Sequence, residues 1–166
     1  LVFKVRPWLA FIGAVAFSFN TFSMISIEAG HIWKVRAIAY MPLVLGAVHL
    51  VVTHKKKLLP MGLLGLAVAL EIKANHLQIT YYLLLMLIIY GLFYLFDVVK
   101  SKSYSKLGTH VALLILAGIL GVGANTGRLW TTLEYSKYST RGASELSSNA
   151  ENKGNTGLDR DYVFNW

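Results

Sequence analysis

The chain has 166 residues, of which 55% are hydrophobic, and its formal net charge is +8. Only 14% of the residues are charged, whereas soluble domains carry about 25%, so an ordinary soluble domain is excluded. The hydrophobic content excludes intrinsic disorder, and the absence of cysteine excludes a fold stapled by disulfides. Leu1 is not a start methionine and Trp166 ends the chain abruptly, so we expect an internal piece of a larger membrane protein.

Five apolar stretches follow one another and predict an all-α, polytopic bundle of transmembrane helices. A hydrocarbon core of about 30 Å requires about 20 helical residues at about 1.5 Å each. The third stretch would reach only about 22 Å, while the other four meet or approach the required length. The predicted spans are 8–27, 37–53, 58–72, 77–96 and 107–124. We expect the membrane region at 1–124 and a truncated extracytoplasmic loop or outer segment at 125–166.

The placement of charge predicts which loops share a side of the membrane. The segments before the first span, between the second and third, and between the fourth and fifth hold eight Lys or Arg against one acid, Asp97. The remaining segments hold eight Lys or Arg against seven acids. Because Lys and Arg in short loops mark the cytoplasmic side, we expect the mixed-charge loops and the C-terminal segment outside a bacterial cytoplasmic membrane. The net charge therefore indicates a lipid bilayer as partner and no nucleic acid.

The first outer loop carries an acid, an imidazole and two cations within nine residues: Glu28, His31, Lys34 and Arg36. Cations at the membrane surface suit a phosphate or pyrophosphate head group, which Arg can bind through two parallel hydrogen bonds. The structural alternative is a pair of long cationic side chains that reach for the interface beside Trp33. The loop therefore predicts either a head-group site or a membrane anchor.

The second outer loop follows the short third span, so we expect its turn to lie below the outer surface. Ionisable residues at such depth are costly and are functional candidates by default. Its candidate site residues are Glu71, Asn75, His76, Gln78 and Tyr82. A continuous helix would place four of them on one face, but we expect the turn to break that register. Glu71 could act as a base or accept a sugar hydroxyl, and His76 could act as acid, base or phosphate donor. The structural alternative is an ion pair of Glu71 with Lys73 or His76 that closes a helical hairpin.

The sequence offers one candidate site for a divalent cation and predicts no other cofactor. Asp159 and Asp161 have a spacing that could hold a divalent cation, although two acids so spaced are common in polar loops. His49, His54 and His110 lack a metal-ligand spacing, and we expect packing near the membrane interface for each of them.

The motifs in these loops resemble those of YfhO-type bacterial membrane proteins. The resemblance lies in the first outer motif, 28–42, and in the second outer motif, 71–82. Two later segments, 129–142 and 157–162, are similar to the versions found in Bacteroidetes. The resemblance covers essentially the whole chain and therefore predicts the fold and the activity of that family.

The resemblance implies a large polytopic protein of the GT-C glycosyltransferase type. Such enzymes transfer a sugar from a polyprenyl-phosphate carrier to an acceptor outside the cytoplasmic membrane, here a cell-envelope glycan or glycolipid. Their catalytic acid usually sits in the first outer loop, so the resemblance places it upstream of Leu1 and leaves Glu71 and His76 as candidates in this chain. The residues that it implies for the carrier phosphate and the sugar are Glu28, His31, Lys34, Arg36, Asn75, Gln78 and Tyr82.

Two other classes of protein fit the same pattern. A membrane transporter or lipid flippase could bind a solute or head group in an outward-facing polar cavity, and its signs would be internal repeats and broken helices near the midplane. A non-catalytic scaffold of an envelope assembly would tolerate neutralising changes at Glu71 and His76.

Overall fold

The computed structural model describes residues 4–136, and all regular secondary structure in that range is α-helix. The first compact unit ends at Asn125, and a second begins at Thr126. The helices are α1 Pro7–Ser18, α2 Thr21–Glu28, α3 Ile32–Thr53, α4 Leu58–Lys73, α5 Leu77–Ser101, α6 Tyr104–Gly123 and α7 Thr126–Ser136.

Four stretches of the described chain are long and apolar enough to cross a membrane: Pro7–Glu28, Ile32–Thr53, Leu77–Ser101 and Tyr104–Gly123. The first of them comprises α1 and α2, and the others are α3, α5 and α6. Large apolar side chains point away from the bundle, as shown by Phe93, which is 71% exposed. This surface suits lipid rather than water. The predicted all-α membrane helix bundle is confirmed.

The predicted third span corresponds to α4, which is shorter than the others. Its 16 residues reach about 24 Å, less than the hydrocarbon core requires. It packs against α3 and α6, and it buries Leu64 and Ala67 in the main core together with Val44 and Val51 of α3. The helix of the short third span is therefore central and packs between α3 and α6.

Small residues let α4 and α6 approach closely. Gly65 lies against α6, where an added Cβ would be 3.6 Å from the carbonyl oxygen of Ala117. A Cβ on Gly121 would come within 2.6 Å of Val68 Cγ1 and 3.1 Å of the Ala69 nitrogen. Contacts between backbones of this kind are how helices associate in lipid, where no hydrophobic driving force acts.

The predicted first span is broken near its middle. α1 ends at Ser18 and α2 begins at Thr21, with Asn20 capping α2. Its Oδ1 accepts a hydrogen bond from the Ser23 nitrogen at 2.8 Å, and its Nδ2 donates to the Phe17 carbonyl and to Ser23 Oγ. An Asn side chain that bonds to nearby backbone competes with helix continuation. The apolar stretch predicted as the first span is thus present as Pro7–Glu28, but it consists of two helices.

Helix α5 packs more loosely than α4. Although it has 25 residues, only Ile79, Leu83 and Val98 are buried. Spaces therefore remain between α5 and the compact group formed by α3, α4 and α6, and they are described below.

Candidate functional site

The two predicted outer loops lie at the same end of the bundle, which we call the mixed-charge end. It comprises the α2–α3 turn and the α4–α5 turn. Ala37 near the start of α3 is fully buried and packs in one small cluster with Ala74 of the α4–α5 turn and Ile79 of α5. Three buried apolar side chains thus hold the two loops together.

The α4–α5 turn contains Asn75, whose backbone is in the left-handed conformation. The Ala74 nitrogen donates to the Leu70 and Glu71 carbonyls and ends α4. Asn75 follows with φ +54, a conformation that Asn adopts more readily than most residues. Because α5 then begins at Leu77, the helical register from Glu71 does not continue into α5. The expected break in register is present.

Glu71 lies inside the bundle with one carboxylate oxygen unpaired. The residue is 2% exposed, and Thr80 Oγ1 donates a long hydrogen bond of 3.4 Å to its Oε1. Within residues 4–136, neither Glu71 Oε2 nor His76 Nδ1 has a hydrogen-bond partner, and both atoms are buried. The hydrogen bond that the structure gives to the carboxyl comes from Thr80, across the turn. A buried polar atom without a partner is costly and needs an explanation.

The cations of the first outer loop rest on aromatic rings. Lys34 Nζ lies 5.0 Å from the centroid of the Phe22 ring, and Arg36 Cζ lies 4.8 Å from that of Trp33. Arg36 is exposed and Lys34 is half-buried. Attraction between a cation and the face of a ring holds such groups without consuming their hydrogen-bond donors. Both cations can therefore still bind an anion.

The other predicted ligands lie on the outside of this end. Glu28, His31 and Asn75 are exposed. Gln78 Nε2 donates to Tyr82 Oη at 2.8 Å, one turn further along α5, and both side chains are exposed. The structure thus gathers the predicted residues at one end and separates a buried carboxyl from exposed polar groups.

Asn125 belongs to this end but was not predicted from the sequence. It is buried, and its Nδ2 donates to the carbonyls of Ala69 and Gly121, each at 3.0 Å. It thereby ties the end of α6 to the last turns of α4, two residues before Glu71. Its position directly after an apolar run was the available signal, because a buried amide needs partners.

At the opposite end, which we call the Lys-rich end, Lys57 closes the α3–α4 turn. Its Nζ donates to the carbonyls of Val51 at 2.7 Å and Val52 at 3.3 Å. These carbonyls belong to the last turn of α3, where orphan oxygens favour a cation. The same Nζ lies 2.8 Å from His110 Nε2. Burial lowers the pKa of Lys57, and the charge of Lys106 lowers it further.

Two histidine–tyrosine pairs extend this network. His110 Nδ1 bonds to Tyr94 Oη, and His49 Nδ1 lies 2.8 Å from Tyr90 Oη. His110 is buried, although it sits near the start of α6. The expectation of packing near the interface thus omitted the hydrogen bonds that link α6 and α3 to α5. Neither pairing could be predicted, because the partners are far apart in the chain.

A cavity of about 460 Å³ opens beside these pairs. Its polar wall residues are His49, Thr53, Tyr90, Tyr94, Asp97, Ser101, Ser103, Lys106 and His110. Within residues 4–136, no group of three or more His, Cys, Asp or Glu is placed to hold a metal ion. Asp159 and Asp161, the weak metal candidates, lie outside the described residues.

Comparison with known proteins gives no relative: no family model, curated protein or solved structure matches this chain. The resemblance to YfhO-type proteins therefore stays a prediction from sequence motifs.

Proposed function

We propose that the chain is part of an integral-membrane glycosyltransferase that moves a sugar from a polyprenyl-phosphate carrier to an extracytoplasmic cell-envelope acceptor. The observation that supports this most is the buried Glu71 carboxyl, whose Oε2 has no partner within the described residues. A sugar or acceptor hydroxyl is a donor that such an oxygen lacks. Ionisable groups kept at this depth in a membrane are usually functional.

The exposed groups around Glu71 suit the remaining parts of a carrier-linked sugar. Lys34 and Arg36 would bind the carrier phosphate, since their donors are left available by the aromatic rings beneath them. Negative charge grows on that phosphate as the glycosidic bond breaks, and fixed cations stabilise it. The exposed Asn75 and Gln78 would bind sugar hydroxyls. In this proposal the α4–α5 turn opens on binding, because Glu71 Oε2 is closed to solvent.

The proposal is tested by complementing a strain that lacks the gene with single variants of the full protein. We expect Glu71→Gln and Arg36→Ala each to lower incorporation of sugar into the envelope by about 100-fold, the size of a lost catalytic or charge-stabilising group. Membrane fractionation should show normal insertion of both. Lys56→Gln, an exposed change at the Lys-rich end, is the matched control and should incorporate sugar normally. Wild-type incorporation in both Glu71→Gln and Arg36→Ala would refute the assignment.

A transporter or lipid flippase is a second candidate, and the break at Asn20 favours it. Broken membrane helices near the midplane are typical of transporter binding sites, and Pro7–Glu28 is interrupted between Ser18 and Thr21. Purified protein in sealed vesicles containing a fluorescent polyprenyl phosphate separates the two candidates. Movement of the probe between leaflets supports the flippase, whereas an unmoved probe supports the transferase.

A further inference from the structure

The network at the Lys-rich end has a defined direction. A lysine ammonium carries three donors and no lone pair, so the bond between Lys57 and His110 must run from Lys57 Nζ to Nε2. Two further donors of Lys57 are given to the carbonyls of Val51 and Val52. Because Nε2 accepts, the ring proton of the neutral histidine lies on Nδ1. His110 Nδ1 therefore donates to Tyr94 Oη.

Among the described residues, this direction leaves the hydroxyl proton of Tyr94 without an acceptor. Its oxygen already accepts from His110, so its own O–H must point elsewhere, and no other hydrogen bond joins Tyr94 to the described residues. Tyr94 lines the 460 Å³ cavity. The Tyr94 hydroxyl faces this cavity, and Lys57 polarises it through two successive hydrogen bonds. A hydroxyl donor in such a position favours a negatively charged acceptor.

The charges around the cavity point to the same class of ligand. Lys106 is exposed and lines the wall, and Lys57 lies directly behind His110. Asp97 is the one acid among the wall residues. Lys100 in the last turn of α5 and Lys102 directly after that helix add further positive charge. Basic pockets between membrane helices at such an end are typical of sites for anionic lipid head groups.

A second, apolar cavity lies beside the first. It has a volume of about 270 Å³ and shares Val52, Tyr90 and Tyr94 with the polar cavity. Its other lining residues are Val44, Val48, Leu64, Val68, Leu87, Gly91, Leu114 and Gly118. The two cavities are therefore adjacent, between α5 and the group of α3, α4 and α6, and one amphipathic ligand can reach both. An inorganic anion would fill only the polar part.

We propose that these adjacent cavities bind one membrane phospholipid with an anionic head group. The phosphate lies in the polar cavity, where it accepts from Tyr94 and is neutralised by Lys106. One acyl chain enters the apolar cavity beside Gly118. This site is at the opposite end from Glu71 and does not depend on the proposed sugar transfer.

The site is tested with the full chain, purified in detergent, stripped of lipid and titrated with phosphatidylglycerol in native mass spectrometry. The wild type should bind one molecule. Tyr94→Phe should bind about tenfold more weakly, as expected for one lost hydrogen bond to a charged group. Gly118→Leu should lose a similar factor by filling the apolar part, since a Cβ at Gly118 meets nothing within 4 Å. The matched controls Tyr104→Phe and Gly62→Leu lie outside both cavities and should bind normally.

Three results would overturn the proposal. Wild-type affinity in both Tyr94→Phe and Gly118→Leu would show that the lipid does not use these cavities. Equal binding of phosphatidylcholine, which carries no net charge, would remove the role of the anionic head group. Complete displacement of the lipid by inorganic phosphate would identify a site for a free anion. If Tyr94→Phe fails to fold by circular dichroism, Gly118→Leu still decides the outcome, because it leaves the hydrogen-bond network intact.

Discussion

The two ends of the bundle handle their ionisable groups in opposite ways. At the Lys-rich end, the half-buried Lys57 gives a hydrogen bond to each of three acceptors and belongs to a network that crosses three helices. At the mixed-charge end, Glu71 is fully buried and keeps one oxygen unpaired among the described residues. The cations near it, Lys34 and Arg36, lie over aromatic rings.

This difference distinguishes two roles of charged residues in a membrane protein, which are to stabilise the fold and to bind a ligand. Lys57 donates hydrogen bonds to carbonyls at the end of α3 that have no partner within the helix, so its charge stabilises the fold. The burial of Glu71 brings no comparable stabilisation, because a buried polar atom left unpaired lowers the free energy of unfolding by about 1–3 kcal/mol. The number of charges at an end predicts its side of the membrane, whereas missing partners indicate where a ligand would bind.

The largest expected effect tests whether the two ends face opposite sides of the membrane. The chain contains no cysteine, so single cysteines can be labelled without interference. A maleimide that cannot cross the membrane should label Gln78→Cys in intact cells and Lys56→Cys only after the cells are opened, because both positions are exposed at opposite ends. The expected result is all or none. Labelling of Lys56→Cys alone in intact cells would reverse the predicted orientation.

The lengths of the apolar stretches predicted most of the fold, because a membrane helix forms the hydrogen bonds of its backbone within one continuous segment. The helix ends were less predictable. α3 begins at Ile32, five residues before the predicted span, and α5 continues to Ser101, five residues beyond it. Both extensions carry polar residues of the membrane interface, which remain helical although they are no longer apolar. The break at Asn20 was missed because one polar residue in an apolar run is easily tolerated.

The sequence predicted that the two polar loops share one end of the bundle, but it predicted neither the contacts among their side chains nor the part played by Asn125. Glu71 and Asn75 lie at one turn, as their spacing after a short span indicated. Thr80, across the turn on α5, donates a hydrogen bond to Glu71, a contact that the loop sequence did not predict. The network at the Lys-rich end could not be predicted, since Lys57 and His110 are joined only by the packing of the bundle. Such contacts depend on tertiary structure and leave no local pattern.

The next largest effect tests the tight packing that closes the mixed-charge end. We expect Gly121→Val to destabilise the protein by about 3 kcal/mol, because even its Cβ would come within 2.6 Å of Val68 Cγ1 and 3.1 Å of the Ala69 nitrogen. The free energy of unfolding can be measured in detergent by titration with sodium dodecyl sulfate, followed by circular dichroism.

Gly118→Val is the matched control, since it lies one turn earlier on α6 and its Cβ meets nothing within 4 Å. It should change the free energy of unfolding by less than about 1 kcal/mol. Equal stability of the two variants would contradict close contact between α4 and α6, and with it the sealing of Glu71.

The smallest expected effect tests the hydrogen-bond network at the Lys-rich end. Lys57→Gln should lower the free energy of unfolding by about 2 kcal/mol, because the carbonyls of Val51 and Val52 lose their cation and His110 Nε2 loses its donor. The same titration measures it, with the exposed neighbour Lys56→Gln as control.

Both substitutions remove one positive charge from the same turn, so a purely topological role predicts equal and small effects for Lys56 and Lys57. A role in the hydrogen-bond network predicts that only the substitution of Lys57 lowers the free energy of unfolding. Lys57→Arg sharpens the distinction, because it keeps the charge and changes the geometry of the donors. Stability restored by Arg would show that charge near the end of α3 is sufficient. A loss in Lys57→Arg as large as in Lys57→Gln would show that the end depends on the compact ammonium group, whose three donors match the two carbonyls and the imidazole.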